Sequence, residues 1–232
     1  MATLAEARDA AVAADVREVL AGHRHLGGLA LELAVRGGVA HVRGRTRSRA
    51  ERELTRRTIA RVRGVNAVWD LLQLPGEDEP CVLDLGCGAR KQIERAIGVD
   101  CHRLPAVDVL SRLERGLPFA DASVDHVYAV HFLEHVEPLL PLMNEIHRVL
   151  RPDGMLHVMV PNAAHVNALA DPTHRRLFHR QTFKFFCRPY PGLRPFCPLA
   201  VTETPTDLYA DLRPLPPGSP GASAGELARF FD

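Results

Sequence analysis

Short apolar runs alternate with turn-rich and amphipathic segments through the C-terminal two-thirds of the chain. Runs typical of buried strands stand at residues 82–85, 106–110, 124–130 and 154–161. Between the last two, apolar residues recur at helical spacing and predict a helix over 139–150. Strands that alternate with helices in this way favour an α/β fold with a mostly parallel sheet.

The first 76 residues show a different pattern. Their elements, in chain order, are predicted as a helix over 4–20, strands over 29–35 and 39–42, a helix over 48–62 and a strand over 65–72. Gly37 and Gly38 suit a hairpin turn, and Ser48 with Glu51 suits a capping box at the start of the second helix. We predict a small αββαβ domain over 1–76.

The rest of the chain divides at proline-rich stretches. Residues 77–80 form a predicted linker, and 81–212 form the predicted α/β domain. Two further strand candidates, 199–202 and 208–210, lie near its end. Residues 213–232 are interpreted as a Pro-rich C-terminal tail.

Composition places the chain among globular proteins. Hydrophobic residues make up 46% and charged residues 25%, and no apolar run is long enough for a membrane span. The five cysteines are an odd number without close pairing, which favours reduced thiols and a cytoplasmic location. A disulfide or metal site at Cys187 and Cys197 is the less favoured alternative.

The strongest candidate site is VLDLGCG at 82–88, followed by GVD at 98–100. Glycines after a strand allow the backbone to approach a ligand, and an acid that ends the next strand accepts a ribose diol. A dinucleotide fingerprint requires a third glycine at position 91, where Lys91 stands. This excludes an NAD-dependent oxidoreductase and suits S-adenosylmethionine better.

These blocks, with LPFADAS at 117–123, HFLEH at 131–135 and DPTH at 171–174, resemble class I S-adenosylmethionine-dependent methyltransferases over roughly 80–186. The resemblance implies a Rossmann-like sheet closed by an antiparallel hairpin, S-adenosylmethionine as cofactor and a small-molecule acceptor. It also implies that the cofactor contacts are Asp84, Gly86, Gly88, Asp100, Leu113 and His131.

Three features depart from the family pattern. Arg90 replaces a glycine, and Arg112 stands where an acid reads the adenine amine, so backbone near Leu113 is expected to contact adenine instead. The link from Gly88 to Ile97 is short for a crossover, which predicts a stunted first helix. Arg90 and Arg112 leave open an alternative function, a non-catalytic or weakly active S-adenosylmethionine-binding protein that the basic N-terminal domain tethers to lipid or another partner.

The acceptor side is expected around HFLEH and DPTH. His131 is the candidate general base, with a role as a plain pocket wall left open. Glu134, Asp171, His174 and Arg175 are the candidate substrate-binding residues, although Asp171 also suits a helix cap. His131, Glu134 and His135 match an inverted zinc-protease motif, but that motif requires a helix and His131 is predicted at a strand end. No metal is therefore expected.

The N-terminal segment resembles a BON domain, a bacterial module associated with phospholipid surfaces. The matching positions lie at 38–44, 48–51 and 62–71. Residues 1–76 carry 13 arginines against 8 acidic residues, and the arginines of 43–63 suit anionic lipid or a protein partner. The alternative is that they form the solvated faces of a hairpin and a helix. No nucleic-acid partner is expected.

Overall fold

A computed structural model describes residues 3–112 and 116–232 of the chain. Contacts between residues divide it into two compact units, Met1–Pro80 and Cys81–Asp232. Within the described ranges, no helix is long and apolar enough to cross a membrane. The five cysteines are free thiols.

The first unit has the predicted αββαβ order. Its elements are α1 (Leu4–Gly22), β1 (Leu31–Arg36), β2 (Val39–Arg45), α2 (Arg49–Ala60) and β3 (Ala67–Gln73). β1 pairs antiparallel with β2, and β2 pairs parallel with β3. A shared apolar core, which includes Val16, Leu26 and Ile59, lies between the helices and the sheet.

The predicted capping box at α2 forms only in part. The hydroxyl of Ser48 accepts the backbone N–H of Glu51 at 3.2 Å, as expected for an N-cap. The carboxylate of Glu51 instead accepts the backbone N–H of Arg47 at 2.6 Å. The side chain of Ser48 therefore caps the helix, whereas the carboxylate of Glu51 bonds Arg47 and not the backbone of Ser48 as a capping box requires.

Many arginines of the 43–63 tract have acidic partners. Arg52 and Arg56 both contact the carboxylate of Asp70, at 3.1 and 3.2 Å, and Asp70 is fully buried in β3. Further ion pairs join Arg43 to Glu79, Arg47 to Glu51 and Arg57 to Glu53. A large part of the tract's positive charge is thus neutralised within the unit.

The second unit is built on a seven-stranded sheet. Its strands are β4 (Val82–Leu85), β5 (Ile97–Asp100), β6 (Val109–Leu110), β7 (Val124–Val130), β8 (Leu150–Pro161), β9 (Phe196–Glu203) and β10 (Asp207–Pro214). The strand order is β6-β5-β4-β7-β8-β10-β9. The central pairs are parallel, and β10 pairs antiparallel with β8 and β9. The predicted closing hairpin is confirmed.

Over residues 81–112 and 116–232, the helices that accompany this sheet are α3 (Leu139–Val149), α4 (Val166–Ala170), α5 (Arg180–Phe186) and α6 (Ala224–Phe231). A single 3₁₀ turn, Leu133–His135, follows β7. The core contains buried residues from the central strands together with α3 and α5, including Leu142, Met143 and Phe183. α3 ends at Val149, one residue before the predicted end at 150, and runs directly into β8, whose pairing with β7 is irregular at its start.

The segment between β4 and β5, all of it described, contains no helix. This confirms the expectation of a stunted first helix. The turn is fixed by side chains instead: Asp84 accepts the backbone N–H of Gln92 at 2.6 Å, and the ammonium of Lys91 pairs with the carboxylate of Asp108.

The prediction of a tail over 213–232 needs correction. β10 continues to Pro214, and α6 ends with Phe231 packed in the core at 3% exposure. A full capping box at Ser223 and Glu226 starts α6. Its apolar residues at helical spacing provide the buried face, which the preceding prolines and glycines masked in the sequence.

Candidate active site

The first half of the site lies at the carboxyl ends of β4, β5 and β6. The backbone N–H of Gly86 donates to the carbonyl of Val99 at 2.8 Å, and that of Gly88 donates to the carboxylate of Asp100 at 3.0 Å. The glycine turn and the acid that were predicted from separate blocks are thus neighbours. We call this region the cofactor half.

The two glycines serve the turn in different ways. Gly86 has φ +67°, and a Cβ there would lie 2.2 Å from the ring of Phe132. Gly88 has φ +56°, but a Cβ there would meet nothing within 4 Å. Gly86 is therefore required by packing, whereas Gly88 faces open space that a ligand can fill.

The pKa values of the two carboxylates at the strand ends are shifted in opposite directions. Burial raises the pKa of Asp84 to about 6, although the N–H of Gln92 partly offsets it. Burial also acts to raise the pKa of Asp100, but the backbone N–H groups of His102 and Gly88 outweigh it and lower that pKa below its ordinary value. Asp100 is therefore a reliable anion at neutral pH.

The structure describes only part of the region where adenine is expected to bind. Leu110 pairs in register with Asp100 and is 53% exposed, so an apolar surface lies beside the ribose acid. Arg112 is exposed, and the predicted contact Leu113 lies outside the described residues.

These features fit S-adenosylmethionine. Asp100 already accepts the N–H groups of Gly88 and His102, at 3.0 and 2.8 Å, and a carboxylate has further lone pairs for ribose hydroxyls. The open space at Gly88 suits the methionine moiety, and the buried carboxylate of Asp84 lies at the start of the same turn. Leu110 suits one face of the adenine.

The second half of the site is a cavity of about 600 Å³ beyond the ends of β7 and β8. It is lined by His131, Glu134, His135, Pro161, Asn167, Ala170, Asp171, Pro172, His174 and Asp207. We call it the acceptor cavity. Three of the four candidate substrate residues, and the candidate base, therefore line one space.

His131 stands directly after β7 in a left-handed conformation, with φ +48°. Its N–H donates to the carbonyl of Met159 at 2.8 Å, which fixes this unusual backbone next to β8. Such a conformation is costly for a residue other than glycine and is common at functional sites. The prediction of His131 at a strand end agrees with the structure.

The imidazole of His131 lies between two carboxylates. Its Nδ1 is 3.5 Å from Oε1 of Glu134, and its Nε2 is 3.8 Å from Oδ1 of Asp207. The contact with Glu134 raises the pKa of His131 above its ordinary value, against the effect of burial. The side chain remains 46% exposed and is accessible from the cavity.

The DPTH segment folds over the 3₁₀ turn. Asp171 accepts both the N–H and the hydroxyl of Thr173, at 2.8 and 2.6 Å, so it organises its own loop and ends α4 rather than beginning a helix. Arg175 donates its backbone N–H to the carbonyl of Glu134 at 2.8 Å, while its side chain is exposed and lies outside the cavity lining.

Asp207, His135 and Asn167 line the cavity but were absent from the predicted site. His135 had a signal in the HFLEH block. Asp207 had none, because it begins β10 and reaches His131 only through the antiparallel insertion of that strand beside β8.

Comparisons with known proteins agree with this geometry. Residues 83–158 match the family model described as a methyltransferase domain, and residues 8–76 match that of the BON domain. The second unit therefore contains a methyltransferase domain, and the first contains a BON domain. The cofactor is S-adenosylmethionine.

Probable S-adenosylmethionine-dependent methyltransferases of Mycolicibacterium smegmatis and Mycobacterium tuberculosis are each 35% identical to the chain over 97 residues. The match covers 35% of this chain, and 38% and 35% of those proteins, so the chain spans well under half of their length. A solved methyltransferase from Aquifex aeolicus is 16% identical, with a TM-score of 0.46 over 59% of this chain and 82% of that one. The fold assignment is based on strand order rather than on this last likeness.

Proposed function

We propose that this chain transfers a methyl group from S-adenosylmethionine to a small-molecule acceptor bound in the acceptor cavity. One observation carries the proposal: the cofactor half and the acceptor cavity lie at the same edge of one sheet, at the ends of β4, β5, β7 and β8. In parallel α/β sheets ligands bind at this edge. The cofactor supplies an electrophilic methyl group, and the protein has to align the acceptor with it.

His131 is the proposed general base. It follows β7, is accessible from the cavity and lies within 4 Å of Glu134 and Asp207, which orient its ring. An imidazole in this position can take the proton that an acceptor hydroxyl or amine loses. Glu134, Asp171 and His174 supply polar contacts for the acceptor, while Arg175 contributes its backbone only.

The first experiment measures cofactor binding by calorimetric titration with S-adenosylhomocysteine, followed by a tritium-labelled methyl transfer screen against sugars, lipid headgroups and polyketide-like compounds. We expect His131→Gln to retain S-adenosylhomocysteine affinity and to lose most transfer. His165→Asn is the matched control, since asparagine keeps a cap on Asn167. Equal transfer by the His131 variant and the wild type would remove His131 from the mechanism.

A non-catalytic cofactor-binding protein is the second candidate. Two features favour it: no helix lies between β4 and β5, and Arg112 is exposed where an acid is expected. Both reduce the number of groups that can contact the cofactor. Tight binding of S-adenosylhomocysteine without transfer to any acceptor class would support this candidate over the first.

We also propose that the BON domain contacts anionic phospholipid only weakly. The BON match supports a lipid contact, but the ion pairs of Arg52 and Arg56 with Asp70 remove two cations from the exposed surface. Vesicles rich in anionic lipid should co-sediment with the chain only at low salt. Strong binding that persists in high salt would contradict an electrostatic contact of this kind.

The free thiols support a reducing compartment, and we therefore propose a cytoplasmic location.

A further inference from the structure

Glu134 is the least satisfied charged group of the described chain. Its side chain is 2% exposed, and neither carboxylate oxygen has a hydrogen-bond partner. The nearest cation is the imidazole of His131, at 3.5 Å from one oxygen. A buried carboxylate without partners is costly, and proteins usually compensate it with a hydrogen bond, a cation or a metal ion.

Two histidines lie beside this carboxylate. A carboxylate oxygen of Glu134, a ring nitrogen of His135 and a ring nitrogen of His174 all lie within 4.8 Å of one another. The rings of His135 and His174 have centroids 4.8 Å apart and are inclined at 65°. All three residues line the acceptor cavity, so an ion can reach them from solvent.

Outer contacts fix the tautomer of each ring. Nδ1 of His174 donates to the carbonyl of Ala168 at 3.0 Å. Nδ1 of His135 lies 3.0 Å from the hydroxyl of Thr173 and 3.4 Å from its carbonyl, and a carbonyl can only accept. Each Nδ1 therefore has an acceptor to donate to, which leaves Nε2 as the nitrogen of each ring that can bind an ion.

The outer contacts of His135 and His174 resemble those of histidines that bind metal ions. Such residues usually donate their second ring nitrogen to a carbonyl or a carboxylate, which orients the ring. The hydroxyl of Thr173 in turn donates to Asp171 at 2.6 Å, so the carboxylate supports His135 through one intervening group. Ring packing alone would explain the two histidines. It does not explain why the buried carboxylate of Glu134 has no hydrogen-bond partner and only the imidazole of His131, at 3.5 Å, beside it.

We propose that Glu134, His135 and His174 bind a first-row divalent metal ion, with Zn²⁺ as the probe, on the wall of the acceptor cavity. Two imidazoles and a carboxylate suit such ions and leave positions open for an acceptor oxygen. Asp171 lies 3.7 Å from Nε2 of His174 and is the nearest further oxygen donor. A role for the ion in positioning the acceptor rests on the proposed function, whereas binding of the ion does not.

The set differs from the inverted zinc-protease motif of the sequence. That motif would use His131 within a helix. In the structure, His131 follows β7 outside any helix and has a left-handed backbone conformation. His174 takes its place because the DPTH segment folds over the 3₁₀ turn. The site therefore departs from the expectation that no metal is present.

The test is a Zn²⁺ titration of the metal-stripped full chain, with a chromophoric chelator as competitor. We expect one equivalent to bind, and Glu134→Gln and His174→Gln each to weaken binding at least about tenfold. His165→Asn, a histidine change at the start of α4 and outside the cavity lining, should leave the affinity unchanged. Circular dichroism confirms that each variant is folded.

Cobalt provides a second readout, which distinguishes the ligand atoms by their absorption bands. Co²⁺ bound by nitrogen and oxygen should show visible d–d bands without a thiolate charge-transfer band. A thiolate band, or loss of binding in Cys101→Ser, would place the ion at the separate Asp100, Cys101 and His102 cluster and overturn the proposal. Absence of stoichiometric binding, or unchanged affinity in both ligand variants, would also overturn it.

Titration of the same samples with S-adenosylhomocysteine separates the two proposals. Cofactor binding without a metal would leave the proposed function intact and remove the metal site. Metal binding without cofactor binding would leave the metal site intact and contradict the proposed function.

Discussion

The cofactor half and the acceptor cavity share one sheet edge but are assembled in different ways. The cofactor half comes from consecutive elements between Asp84 and Leu110, and its carboxylates accept backbone N–H groups. The acceptor cavity takes its residues from three distant stretches, 131–135, 167–174 and Asp207. The first is preorganised by the backbone, whereas the second depends on side chains that meet only in the folded chain.

The carboxylates of the two regions also differ in how many hydrogen bonds they accept from the backbone. Asp84, Asp100 and Asp108 each accept at least one backbone hydrogen bond. In the acceptor cavity, Asp171 accepts only from Thr173 of its own loop, and Glu134 accepts no hydrogen bond. The carboxylates of the cofactor half are therefore held by backbone N–H groups, whereas Glu134 has no such support.

The glycine pair gives the largest expected effect. Gly86→Ala should lower the free energy of unfolding by about 3 kcal/mol, because a left-handed alanine is strained and its Cβ meets Phe132. Gly88→Ala should cost only about 1 kcal/mol, since its Cβ enters open space, yet it should weaken S-adenosylhomocysteine binding. Urea unfolding and calorimetry measure the two effects, and equal stability losses would refute this distinction.

Asp100→Ala tests the cofactor half directly. It should weaken S-adenosylhomocysteine binding about 30-fold, equivalent to about 2 kcal/mol, because ribose loses a charged acceptor. Asp171→Asn, in the acceptor cavity, should change the same affinity less than about twofold. If both substitutions weaken binding equally, the division into two halves is wrong.

The raised pKa of Asp84, about 6, predicts a pH dependence. Below that pH the folded protein binds a proton that the unfolded chain takes up only near pH 4, so this group's contribution to stability increases as the pH falls from about 6 to about 4. Affinity for the cofactor's ammonium should change the other way, falling about tenfold between pH 7 and pH 5. Asp84→Asn should flatten both profiles; a pH dependence that persists in this variant belongs to another group.

The smallest expected effect on stability is at Thr173. Thr173→Val removes the hydroxyl between His135 and Asp171 at an exposed loop and should cost less than about 1 kcal/mol. S-adenosylhomocysteine affinity should not change, but Zn²⁺ affinity should fall about tenfold or more as His135 loses its support. Serine at this position restores the hydroxyl and should restore the affinity.

Prediction from the sequence succeeded where a local pattern dictates the structure. Apolar runs located β4, β7 and β8, the Ser48 cap located the start of α2, and the short link from Gly88 to Ile97 predicted the absence of a full helix. Each of these depends on residues close together in the chain.

The failures concern contacts between distant residues. Asp70 looks like an ordinary strand residue until Arg52 and Arg56 of α2 fold over it, so the sequence did not show how many arginines are already paired. The tail over 213–232 was misjudged because its burial depends on a groove that α5 and β9 provide.

The sequence by itself determined the domain types, the strand series and the positions of the glycine turn and of Asp100 at strand ends, because hydrophobic periodicity and glycine turns act over a few residues. Only the tertiary structure decided that Asp207 and His174 would line one cavity with His131 and Glu134. The reason is physical: β10 enters the sheet antiparallel beside β8, and the DPTH loop closes over the 3₁₀ turn, and neither event leaves a local mark on the residues it brings together.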